Sequence, residues 1–168
     1  MSAADRVYPP SPTLDAVTAF VNRECRLLDE RRFDDWRDLF TEDGAYWAPT
    51  RHDQKSPEEA VSLFYDDRVT MAARIRRLKH PDVHVQVPES RTVHLVSNIE
   101  AEAVPGEPAG VRAYAAFVMA EYRHTEPRWY AGRYEYSLRR SEDGFRIALK
   151  KVTLVNCNAP FTSIGVYL

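Results

Sequence analysis

The stretch Arg23–Pro49, RECRLLDERRFDDWRDLFTEDGAYWAP, decides the fold. A helix, a second shorter helix, an acidic turn and an aromatic strand follow one another in it without spare residues. Toward the N-terminus, Leu14, Val17, Val21, Cys25 and Leu28, joined by Phe20, recur at helical spacing, which predicts a helix opening near Ser11-Pro12 with one apolar face. Phe33, Trp36, Leu39 and Phe40 repeat the period briefly, with Asp34 as a candidate cap. Asp43-Gly44 is expected to turn the chain before Tyr46 and Trp47 take up strand alternation. Most of this stretch carries folding information rather than chemistry.

Outward from that corner, residues 1–11 hold two prolines among small and polar residues and read as a loose arm, leaving 12–168 as a single domain. Ser56-Pro57-Glu58-Glu59 has the form of a capping box opening a helix of about one turn. Ser62–Asp66 reads as a brief strand. In RVTMAARIRRLK, Val69, Ala72, Ile75 and Leu78 predict an amphipathic helix with a basic outer face, ended by Pro81. From Arg91 the period changes to two. Strands are expected at Arg91–Ala103, Val111–His124, Arg128–Arg140 and Phe145–Val155, separated by PGEPAG, TEP and SEDG. Helices first and long, antiparallel strands afterwards define an α+β domain, with a curved sheet packed on the N-terminal helices.

The near-balanced charge of -2 gives no electrostatic support for a nucleic-acid or anionic-membrane partner. No apolar run approaches the roughly 18 residues of a membrane span, and the start MSAADRVYPPSP lacks the pattern of a secretory signal, so a cytoplasmic protein is expected. Cys25 and Cys157 are the only cysteines, too few for a disulfide scaffold. Among five histidines, His80 and His84 are four apart, but Pro81 between them prevents a shared helical face. Neither cysteine has the nearby histidine of a Rieske motif, and no local spacing supports a mononuclear iron triad. GxGxxG, GxxxxGK[ST] and GxSxG are all absent.

The richest polar constellation is SRTVHLVSNIEAE, where alternation puts Thr92, His94, Val96 and Asn98 on one face. An imidazole at His94 could move a proton near neutral pH if a carboxylate such as Asp43 oriented it; a hydrogen-bonded structural histidine is the commoner arrangement. Tyr130, Tyr134 and Tyr136 share a face suited to cross-strand packing or a protein interface, with Arg133 and Glu135 opposite.

RLLDERRFDDWRDLFTEDGAYWAP, SLFYDDR leading into a helix, SRTVHLVSNIE, and WYAGRYEYSLRR followed by FRIALKKVTLVN resemble, in that order, the β (small) subunits of bacterial aromatic-ring-hydroxylating dioxygenases. The resemblance runs from about Leu14 to Leu168. It implies the cystatin-like, nuclear-transport-factor-like cone and a non-catalytic structural subunit. Its partner α (large) subunit would hold the Rieske [2Fe-2S] cluster and mononuclear iron in an α3β3 hexamer. A reductase, with or without a ferredoxin, would supply electrons for cis-dihydroxylation of an aromatic compound, with the closest likeness to members acting on benzoate-like or phenylpropanoid-like acids. No catalytic, cofactor-binding or metal-binding residue carries over; Asp43, Tyr46, His94 and Asn98 are pocket-lining candidates if the cone encloses a cavity. Two alternatives stand beside this reading: a free-standing cone-fold isomerase or dehydratase using His94 and Asp43, and a ligand-binding or docking module without catalysis.

Overall fold

A computed structural model describes residues 14–80, 87–107, 109–161 and 163–168. The expected N-terminal arm, the helix start at Ser11-Pro12, Pro81 and His84 lie outside the described residues. Three helices, α1 (Leu14–Asp29), α2 (Phe33–Arg37) and α3 (Arg68–Lys79), pack with strands β1 (Phe40–Pro49), β2 (Ser62–Asp67), β3 (Arg91–Ala103), β4 (Gly110–Arg123), β5 (Glu126–Ser141) and β6 (Gly144–Leu154). The sheet order is β2-β1-β6-β5-β4-β3. Every neighbouring pair is antiparallel except β1 and β6, which run parallel because the chain enters the sheet through β1 and returns beside it at the end. The sheet is therefore mixed, where alternation and short turns alone predicted an antiparallel one.

Helix α1 buries Val17, Phe20, Val21, Cys25, Leu27 and Leu28 against the inner face of the sheet. It ends in a Schellman arrangement: Arg32 N–H donates to Leu27 O and Arg31 N–H to Leu28 O, with Arg31 at φ 57 where glycine is usual. The Arg31 guanidinium offsets part of that backbone cost by donating to Ser90 O and Leu78 O, at 3.3 and 3.4 Å. The tight exit lets α2 begin four residues after α1 ends. Trp36 is thereby driven fully into the core, edge-on to Phe40 and Tyr46.

Local expectations failed where the backbone is irregular. Asp34 does not cap α2; the cap position is Arg32, whose side chain makes no capping hydrogen bond, and Asp34 is paired with Lys79 of α3. Asp43-Gly44 kinks the chain within β1, since Phe40 pairs with Ile147 and Ala45 with Leu149, so five positions on one strand face two on the other. Gly44 is required there: a Cβ would lie 2.7 Å from Ile147 O. Ser56–Glu59 forms turns rather than a helix, with Lys55 N–H donating to Glu59 Oε2 at 2.9 Å. Helix α3 is capped by Asp67, which accepts from Thr70 N at 2.8 Å, and buries Met71 and Ile75; Val69, expected inside, is 77% exposed. Part of its basic face turns inward, since Arg74 binds Asp66 and lies over Phe64.

Candidate functional site

The polar centre of the protein is one that sequence reading missed. Glu24 of α1 and Lys150 of β6 are both fully buried and bonded at 2.8 and 3.1 Å. Trp36 Nε1 donates to Glu24 Oε1 at 2.5 Å and Tyr136 OH to Oε2 at 3.1 Å. The Lys150 ammonium also lies 4.2 Å from the Tyr134 ring centroid. Strand parity hid this lysine. Phe145 and Ile147 point inward, so simple alternation places Leu149 inside and Lys150 outside. Pairing of Leu138 with Ile147 and Ser137 with Leu149 shows an extra residue in β6, which reverses parity and brings Lys150 to Glu24. Every strong bond of this centre is satisfied within the chain, so it orders the core rather than offering a reactive group.

His94 lies on the inner face of β3 with its ring buried, and its carboxylate partner is Asp29, not Asp43. Nδ1 is 2.6 Å from Asp29 Oδ1, and the same carboxylate accepts from Thr92 Oγ1 at 2.8 Å and His94 N at 3.0 Å. Burial alone raises the Asp29 pKa, but the bonds from His94 and Thr92 outweigh it and hold the carboxyl below its ordinary value. An acceptor at Nδ1 assigns a proton to that nitrogen, while Nε2 has no hydrogen-bond partner among the described residues. The arrangement fastens the end of α1 to β3.

The other three candidates are elsewhere. Asp43 is exposed and paired with Arg139 at 3.0 and 3.1 Å; a hydrogen bond from Thr41 and then the Arg139 guanidinium keep its carboxyl low. Tyr46 is a core residue whose hydroxyl accepts from Leu168 N at 3.1 Å. Asn98, at φ 53, sits in a bulge between the Ser97–Ala116 and Glu100–Tyr114 pairs and is exposed. The bulge turns Ile99 and Ala101 inward in its place. The four residues do not converge on one cavity. Cys25 is buried, and burial followed by the Glu24 charge pushes its thiol well up, away from reactivity. Among the described residues no three His, Cys, Asp or Glu side chains are grouped to hold a metal, so a Rieske cluster or catalytic iron finds no donor set there.

The outer face of the sheet has a different character. Val93 and Leu95 of β3, Val118 of β4, Trp129 of β5 and Val155 just beyond β6 are 51, 60, 40, 65 and 66% exposed. Strand register makes them neighbours: Leu95 pairs with Val118, Val118 with Ala131, and Val155 N–H bonds Ala131 O, while Val93, Ala120 and Trp129 form the adjacent row. Beside this apolar field runs an open groove of about 570 Å³, lined by Asn98, Glu100, Tyr114 and the outward-facing Arg133 and Glu135. Glu135 meets Lys151 at 3.5 Å. Contiguous exposed apolar surface with a charged rim is the composition of a protein contact.

Residues 23–160 match the family model described as the ring hydroxylating beta subunit. The small oxygenase component of the p-cumate 2,3-dioxygenase system of Pseudomonas putida is 35% identical over 154 residues, covering 85% of this chain and 84% of the relative. The small subunit of 2-halobenzoate 1,2-dioxygenase of Burkholderia cepacia is 32% identical over 145 residues, covering 83% and 87%. Among solved structures, the beta subunit of benzoate 1,2-dioxygenase from Burkholderia mallei superposes with a TM-score of 0.73 at 28% identity, covering 92% of this chain and 97% of that one. A naphthalene 1,2-dioxygenase chain reaches 0.81 at 14% identity, a likeness of fold alone. The cone, the outward-facing apolar field and these matches agree: the chain belongs to the family of ring-hydroxylating dioxygenase beta subunits.

Proposed function

We propose that this chain is a structural, non-catalytic β subunit that docks onto a large oxygenase subunit through the outer face of its sheet. The observation that carries the docking surface is the contiguous field of Val93, Leu95, Val118, Trp129 and Val155, apolar side chains that a separate soluble chain has no reason to align across four adjacent segments. Family membership makes it a component of an oxidoreductase complex that works with a large oxygenase subunit. The large subunit would carry the Rieske cluster and the mononuclear iron in an α3β3 hexamer in the cytoplasm. A reductase, directly or through a ferredoxin, would deliver the electrons. The reaction would be cis-dihydroxylation of an aromatic acid, the substrate class supported by the p-cumate, 2-halobenzoate and benzoate enzymes among the relatives. A stand-alone proton-transfer enzyme is less well supported, since the His94 ring is buried and already bonded to Asp29.

The docking surface is tested by Leu95→Asp/Trp129→Asp in a co-expressed pair. Two charges at the centre of an apolar contact should abolish co-purification with the large subunit while the isolated chain keeps its unfolding midpoint. Undiminished co-purification of the folded double variant would rule out this face.

A further inference from the structure

On the outer face of the sheet, the row next to the apolar field consists of Ser97, Ala116, Arg133 and Thr153. Arg133 is its only charge. In the row beyond, charges are answered within the chain: Lys151 pairs with Glu135 at 3.5 Å, and Tyr114 OH donates to Glu102 at 3.2 Å. Two side chains are not answered. Arg133 and Glu100 are exposed, and among the described residues neither makes a hydrogen bond, an ion pair or a ring contact.

Both residues line the groove of about 570 Å³, from strands two positions apart in the sheet, about 10 Å at the usual strand spacing. Arg133 also lines a second recess of about 440 Å³ toward β6, together with Thr153 and Val155. Its guanidinium thus stands between two open spaces, with the short side chains of Ala116 and Thr153 as its cross-strand neighbours. The opposite wall is made by the β3 bulge. Asn98, at φ 53, leaves the inner row there and lines the groove two residues before Glu100. A positive φ in a non-glycine residue costs backbone energy, and here it sets Asn98 and Glu100 on the outer face.

The groove is continuous with the apolar field, because Arg133 is two residues from Ala131, whose row holds Val118 and Leu95. A partner that covers the field therefore also removes water from Arg133. A desolvated guanidinium without a counter-charge is strongly unfavourable, and no carboxylate among the described residues pairs with this one. The complement must come from the partner.

We propose that this groove sets the register of docking: Arg133 receives an aspartate or glutamate side chain of the large oxygenase subunit and Glu100 a lysine or arginine, while the apolar field supplies most of the contact. The assignment rests on the docking face given under Proposed function and adds the chemistry of what meets it. The parallel N–H pair of a guanidinium suits a carboxylate and fixes orientation as well as charge. Opposite charges on the two walls also reject a large subunit turned end for end, which would set like charges against each other.

The test uses the co-expressed complex, immobilised through the large subunit, with the dissociation rate of this chain as the readout. Arg133→Gln should accelerate dissociation at least about thirtyfold, or leave no complex, as for loss of one partner of a buried charge pair. Glu100→Gln should accelerate it as well, and neither change should move the unfolding midpoint of the free chain. A parent-like rate for either variant overturns the proposal. If Leu95→Asp/Trp129→Asp abolishes the complex while Arg133→Gln dissociates as the parent does, the docking face stands and this assignment falls. Undiminished binding by the double apolar variant removes both. Should Arg133→Gln lower the midpoint of the free chain, carbodiimide coupling of the Arg133→Lys complex decides. A cross-link from the substituted position to an aspartate or glutamate side chain of the large subunit is expected; a cross-link to another copy of this chain, or none, overturns the proposal.

Discussion

Lys150→Met removes the cation of a pair whose two side chains are both inaccessible to solvent. Methionine fills nearly the same volume, so the change is chiefly electrostatic. Glu24 keeps the bonds from Trp36 and Tyr136 but is left as a buried carboxylate without a counter-charge, and Leu168 O loses its donor. Removing one partner of such a pair costs about 3–5 kcal/mol. For a chain of this size each kcal/mol lowers the thermal midpoint by roughly 2–4 °C, which gives a fall of about 6–20 °C. The double variant Glu24→Gln/Lys150→Met should recover a large part of this loss, because the charge left uncompensated is gone. The assay is urea and thermal unfolding of the purified chain, followed by far-UV circular dichroism in the two single variants and the double. A Lys150→Met chain within about 1 kcal/mol of the parent, the range of a surface pair, or a double variant as unstable as the sum of the singles, would refute the assignment of this pair as the polar keystone of the core.

Asp29→Asn tests the α1–β3 fastening. Because the folded carboxyl lies below its ordinary value of 3.8, its stabilisation is present above that value and is lost as pH falls through the folded pKa. The stability gap between parent and variant should therefore be full at pH 7 and close on acidification, as read from urea midpoints against pH; a gap that widens toward acid would contradict the sign. Gly132→Ala puts a Cβ 2.3 Å from Thr153 O, and should destabilise by about 1–3 kcal/mol as β6 is pushed away from β5. Asp43→Ala should leave the unfolding midpoint and co-purification with the large subunit unchanged, since that carboxylate is exposed and its partners are Thr41 and a surface arginine. A marked effect on either measurement would restore Asp43 as a functional candidate.

The elements with regular periodicity were legible in the sequence. α3 and β3 have the expected bounds, and the remaining long strands differ from expectation by a residue or two at their ends. Misreadings cluster at bulges. The extra residue in β6 hides Lys150 from a period-two reading, and the bulge at Asn98 turns an expected inward residue to solvent. In β1, Asp43-Gly44 carries a turn signal that the chain uses as a kink inside a strand, stitched to β6 by a bond from Ile147 N–H to Leu39 O. His94 was visible as the polar residue of an inward row, but its partner was not, because Asp29 is 65 residues away in sequence and at the end of a helix. The parallel β1–β6 pairing is a property of topology and leaves no local trace. The outer apolar field was half visible: Val93 and Leu95 alternate with the inward row, but only the register across β3, β4 and β5 joins them to Val118 and Trp129.

The central claim is that this chain acts only as part of a complex with a large oxygenase subunit. Co-expression with the large oxygenase subunit, followed by size-exclusion chromatography with light scattering and subunit quantification, tests it directly. The account predicts one equimolar species that oxidises an aromatic acid when supplied with dioxygen and its reductase, with the isolated chain inactive on the same substrate under those conditions. A chain that elutes apart from the large subunit, or that alone catalyses isomerisation or dehydration and loses that activity on His94→Ala, would contradict it.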